Sequence, residues 1–241
     1  MRGILSKFPI QRLIHCVLHP VQGFQERNAE SPQLGVSFGW MLLLRGPIST
    51  LGGLLTLHAA YRDYPAFKDF RSPMWQQILL RLPSDINMDD IRIFLSGFPD
   101  LPTWTSLWPW ILVLGPVGIA SAWLHNCVWD HMCLWMLGGV KRSGTWRTTF
   151  IAEAEAMQVG ALDAAFALLG FIPVAGLLLA PFFMLSGAYF WMMRGLALAA
   201  FHHAPMWKGV TATLLHILLA MLFIVGILGI SLLIVMRSMM A

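Results

Sequence analysis

Charge is nearly absent from five long stretches of this chain, and that absence constrains the fold more than any other feature of the sequence. Of the 28 charged residues, twenty fall within residues 1–33, 62–106 and 138–149. A helix that crosses a bilayer takes about 20 apolar residues at about 1.5 Å of rise each. The intervening stretches meet that length, and we read spans at about 34–61, 107–137, 150–169, 171–201 and 209–236. Composition agrees: 57% of residues are hydrophobic and only 12% charged, whereas a soluble domain carries about 25% charged residues. The same arithmetic excludes a disordered chain and a disulfide scaffold. The expected fold is an all-α integral membrane protein, a five-transmembrane-helix bundle (34–241) behind an amphipathic N-terminal segment (1–33).

The third and fourth spans are divided at Gly170, Phe171, Ile172 and Pro173, because proline cannot continue a helical ladder and glycine permits a turn. In the N-terminal segment, Ile4, Leu5, Phe8, Leu13, Ile14, Val17 and Leu18 alternate with Arg2, Lys7, Gln11 and Arg12 at helical spacing. That pattern reads as a helix lying on the membrane surface, or as a cap helix. Cations favour the N-terminal side: Arg2, Lys7, Arg12, Arg27, Lys141, Arg142, Arg147, Arg194 and Lys208 share one side if the N-terminus is inside. The positive-inside rule therefore predicts a cytosolic N-terminus and an external C-terminus; the membrane would be the inner or plasma membrane if the cell is bacterial. The outer loop, 62–106, predicts two short interfacial helices. One carries Trp75, Ile78, Leu79 and Leu82. The other is capped by Ser84, carries Ile86, Met88, Ile91, Phe94 and Leu95, and has Asp85, Asp89 and Asp90 near its start.

The spans hold few charges, and a charge at mid-bilayer costs about 2.5–3.5 kcal/mol on insertion scales, so it usually has a partner. Arg45 lies about 16 Å into the first span and Asp163 about 20 Å into the third. Their depths match and their charges are opposite, so they are expected to pair, directly or through a water. A second group converges on the cytosolic leaflet: His125, Asp130, His131, Glu153, Glu155, Gln158, Arg194, His202, His203 and His216. Among these His125, Glu155 and His216 are expected to face one cavity, the set that would hold a metal or handle a proton. Interhelical hydrogen bonding is the plainer alternative, since Glu153 and Glu155 stand about 200° apart on a helix and share no face. Arg194 competes as a partner for either glutamate.

No nucleophile elbow, zincin helix or phosphate loop is present, and no catalytic residue is identified. Cys16, Cys127 and Cys133 lack metal-finger spacing and read as buried small hydrophobes. No Lys/Arg run suggests nucleic acid. Small residues in the last spans (Gly187, Gly195, Gly226 and Gly229 among them) are of the kind that lets helices approach closely.

Four short stretches carry a resemblance. His19, Pro20 and Phe24 resemble a Pro-x-x-x-Phe entry. Gly138, Gly139 and Gly144–Thr145–Trp146–Arg147–Thr148 resemble a glycine-rich link to a third span. Ile172–Pro173–Val174–Ala175–Gly176 resemble a turn between spans, and His202 through Trp207 with Lys208 resemble a link before a last span. Together with five spans and an amphipathic N-terminus, they resemble the bacterial branch of the Yip (Ypt/Rab-interacting protein) family. The resemblance implies a membrane organising or trafficking role in eukaryotic members and no established activity in bacterial ones. The function expected here is thus non-enzymatic: a membrane organising or adaptor protein embedded in lipid, binding a protein partner or a further copy of itself at its cytosolic face. A transporter of ions, metal or lipid through a polar seam is one alternative. A membrane enzyme with a His/carboxylate metal centre is another.

Overall fold

The computed structural model describes residues 9–69, 71–80, 88–97, 99–140 and 145–239. Ten α-helices and one 3-10 turn order them. Helices α1 (Pro9–Leu18) and α2 (Pro20–Ala29) precede the first long helix, α3 (Leu34–Lys68). Short α4 (Pro73–Leu79) and α5 (Met88–Ser96) lead to α6 (Trp104–Met136). Next come α7 (Trp146–Val159), α8 (Ala161–Ala167) and the 3-10 turn Leu168–Phe171, then α9 (Pro173–His202) and α10 (Met206–Met239). Five helical stretches are long and apolar enough to cross a membrane: Leu34–Lys68, Trp104–Met136, Trp146–Phe171, Pro173–His202 and Met206–Ser231. The chain is an all-α, five-helix integral membrane protein.

The residues fall into two compact units, 49–116 and the remainder. In the larger unit, α1 and α2 pack on the bundle rather than standing apart from it. Leu13, Cys16 and Phe24 join a core with Cys133, Leu134, Ala152, Ala156, Met193 and Ala197 from α6, α7 and α9. The other face of α1 leaves Ile10, Ile14 and Leu18 exposed at a spacing of four, the stripe expected of a helix lying against a membrane surface. Ile4, Leu5 and Phe8 lie outside the described residues. A second cluster joins Met41, Ile119, Ala154 and Met157 of α3, α6 and α7.

Small residues set one helix contact and miss others. A Cβ on Gly195 would come within 2.5 Å of the Val210 Cα, and one on Gly209 within 2.1 Å of the Gly195 carbonyl oxygen. Side chains there would force α9 and α10 apart. Gly187, Gly226 and Gly229 have nothing within 4 Å of such a position among the described residues, so the expectation that they mediate packing is corrected. The break before α9 falls where expected: Ile172 is extended, and Pro173 opens the helix, where its missing N–H costs nothing. The third span also breaks at Gly160, between α7 and α8.

In the smaller unit, α3 runs seven residues past the expected span end. Tyr61 and Tyr64 donate to the carbonyls of Pro102 and Pro99, and Lys68 bonds Asp100 at 2.7 Å. The first loop helix stops at Leu79, with Leu80 exposed; Leu82, Ser84, Asp85 and Ile86 lie outside the described residues. Ile91 and buried Leu95 do sit on α5.

Candidate functional site

The polar residues of the larger unit sort into three hydrogen-bonded groups and one cavity. The first group is charged and buried. Asp130 on α6, Glu153 on α7, Arg194 on α9 and His216 on α10 are each less than one-tenth exposed. Arg194 donates from Nη2 to Asp130 Oδ2 at 2.5 Å and from Nε to Glu153 Oε2 at 3.1 Å. Its guanidinium also lies 4.3 Å from the ring centre of Trp191, a cation–π contact. His216 Nδ1 lies 2.7 Å from Asp130 Oδ1, and its Nε2 faces His125 Nε2 at 3.2 Å. Either ring nitrogen can donate or accept in these contacts, according to the tautomer of each imidazole. Trp129 stacks on His216 at 6.0 Å and holds the ring in this orientation.

The second group ties α2 to the bundle. Arg27 makes a two-pronged contact with Glu155, Nε to Oε2 at 2.8 Å and Nη2 to Oε1 at 2.9 Å. Ser37 Oγ donates to the same carboxylate at 2.6 Å, and Gln158 Nε2 donates to the Ser37 carbonyl at 3.1 Å. Burial works against the charge of Arg27, but the bonds to Glu155 and then Glu30 hold it above the ordinary arginine range. Burial, with the nearby charge of Glu155, pushes the Cys16 thiol up to about 11.

The third group is neutral. Thr149 Oγ1 lies 2.7 Å from His131 Nδ1 and 2.8 Å from His202 Nε2. Trp146 stacks on His131 at 3.9 Å, and Asn28 donates to the Ala200 carbonyl at 3.1 Å beside His203.

Arg45 and Asp163 line one cavity of about 150 Å³, together with Asn126, Gly160, Trp191 and Arg194. No direct bond or ion pair joins the two, which corrects the expectation of direct pairing. Asp163 instead accepts from Ser186 Oγ at 2.7 Å. The two side chains reach the cavity from different walls: Arg45 Nη1 lies 3.4 Å from where a Gly160 Cβ would stand, while Asp163 is held by Ser186 of α9.

His125 and His216 therefore meet as expected, but Glu155 does not join them. Glu153 faces α9, and Glu155, on the opposite side of α7, faces α2 and α3. The proposed ligand set His125, Glu155, His216 is thus corrected, and among the described residues no three His, Cys, Asp or Glu side chains are arranged to hold a metal ion. Arg27 is the functional residue that sequence reasoning missed. Its signal was a cation one segment away from a buried glutamate, hidden because the segment was read as lying on lipid.

Fold and site together define a membrane helix bundle whose buried charges are largely matched internally. No protein-family model, no curated protein and no solved structure matches this chain.

Proposed function

We propose that the chain is a non-enzymatic organising protein of the membrane that binds a protein partner, or a second copy of itself, on the face where α2, the start of α7 and the turn after α9 come together. The observation that carries this reading is the Arg27–Glu155 clamp, which fixes a polar helix to the end of an apolar bundle. Beside it lie two grooves that share Asn28. One, of about 350 Å³, is lined by Gln25, His203 and Met206; the other, of about 290 Å³, by Ser31, Arg147 and Phe201. Such a fixed, concave, mixed surface suits docking of a partner segment. The resemblance to the Yip family supports the same role, and the cation distribution supports a cytosolic location for this face.

The test is a photo-crosslinking residue at Arg147 or Gln25 in the full chain in its native membrane. A discrete protein adduct is expected at these positions and not at lipid-facing Leu177, and it should fade when Arg27→Ala frees α2. Absence of any protein adduct at both positions would refute the reading. Transport through a polar seam is the second reading, and the cavity at Arg45 and Asp163 favours it. Ion flux into vesicles carrying the purified chain, lost in Asp163→Asn, is its measurement.

A further inference from the structure

The cavity lined by α3, α6, α7, α8 and α9 holds two opposite charges, Arg45 and Asp163, that no other charged side chain pairs. Arg45 has no hydrogen-bond or ion-pair partner among the described residues, and Asp163 uses one oxygen, Oδ1, on Ser186. Both are half-buried, and both line the cavity. The third charge on its wall, Arg194, is already committed to Asp130 and Glu153. What remains is one cation and one anion facing a shared space inside the spans, where charge is costly unless it is matched.

We propose that this cavity binds a small zwitterionic group, its anionic end on Arg45 and its ammonium end on Asp163. Charge selects the class. A simple anion on Arg45 would meet the carboxylate of Asp163, and a simple cation on Asp163 would meet Arg45. A group carrying both signs satisfies both residues, and the Asn126 side chain offers a further donor and acceptor. The space, about 150 Å³, has room for a group the size of phosphoethanolamine or a small amino acid. Arg45 provides a planar fork of donors suited to phosphate or carboxylate. Two sources carry this chemistry: the headgroup of a zwitterionic phospholipid and a free amino acid. The inference goes beyond partner docking at the α2 face, and it needs no flux, because occupancy alone is measured.

Gly187 supplies a test that leaves the charges in place. It lines the cavity, and a Cβ there meets nothing within 4 Å, so Gly187→Leu starts from open space and puts an apolar side chain in the cavity. The experiment measures the thermal midpoint of the purified full chain titrated with phosphatidylethanolamine, with anionic phosphatidylglycerol, or with glycine. A saturable rise with phosphatidylethanolamine, absent with phosphatidylglycerol, identifies a lipid headgroup as ligand. A rise with glycine alone identifies a free zwitterion. In either case Gly187→Leu and Arg45→Gln should weaken the response at least tenfold, with Gly187→Leu keeping the unliganded midpoint of the parent chain. Equal responses to the zwitterionic and anionic lipids, a response unchanged by Gly187→Leu, or no response to any of the three would overturn the proposal and leave a cavity holding water.

Discussion

Arg194 illustrates how a single side chain organises the interior of this bundle. It bonds carboxylates on two different helices, and one of those, Asp130, also bonds His216 on a third. Removing one partner of a buried ionic network leaves an uncompensated charge and costs roughly 3–5 kcal/mol, more than the network contributes over a well-packed apolar substitute. Arg194→Met should therefore destabilise the chain by about that amount. The triple change Arg194→Met, Asp130→Leu, Glu153→Leu should recover most of the loss. Thermal unfolding in detergent checks both; a single variant as stable as the parent would show that the network is dispensable. At this scale the sequence was legible in part. Depth along each span brought the right residues to one level, because rise per residue is a fixed quantity. Depth does not say which way a side chain points. The 200° between Glu153 and Glu155 warned that one of them had to leave the group, and only packing decided that it was Glu155.

Among the elements, α2 departs most from what its sequence suggests. Its own residues are polar, and its attachment comes from a few contacts: Arg27 to Glu155, Asn28 to the Ala200 carbonyl, and Phe24 in the core. Close approach to α1 adds to these, because a Cβ on Gly23 would stand 2.9 Å from the Cα and Sγ of Cys16. Cys16 is thus sealed under the hairpin with its thiol pushed up to about 11 by burial, so it is nearly all protonated and slow to react at neutral pH. Arg27→Ala strands the buried Glu155 carboxylate and should loosen α2 while the spans stay folded. The expected outcome is maleimide labelling of Cys16 at least tenfold faster than in the parent chain, with helix content unchanged. Labelling at the parent rate would show that the clamp contributes nothing to closure. Amphipathic periodicity anticipated a helix over α1 with Ile14 and Leu18 on an exposed face, but it did not foresee Leu13 in the core, and it is blind to a helix whose role depends on one arginine. The same limit shortened α3 in the reading, since tyrosines bonding distant carbonyls leave no periodic mark.

For the molecule as a whole, hydropathy carried most of the information, because a bilayer imposes a length that a sequence displays directly. Five spans and their approximate borders were readable for that reason, whereas the pairing of helices depends on small-residue contacts such as Gly195 with Gly209, which composition does not distinguish from Gly226 or Gly229. An odd number of spans has a consequence for the two ends of the chain: they must lie on opposite sides of the membrane. The cation distribution then selects which end is inside. With five crossings, Arg12, Arg27, Arg147 and Lys208 would share the side of the N-terminus, while most cations of the other side would belong to one long segment, 62–106, where acidic residues outnumber them and the positive-inside bias acts weakly. We therefore predict a cytosolic N-terminus and an external C-terminus. Reporters that fluoresce only in the cytosol or are active only outside it, fused in turn to Met1 and Ala241, measure this directly. Opposite signals with the N-terminus inside are the expected result. Opposite signals with the N-terminus outside would reverse the orientation and keep the five spans, and move the α2 face out of the cytosol. Like signals at both ends would mean an even number of crossings, so that one of the five apolar helices does not traverse the membrane.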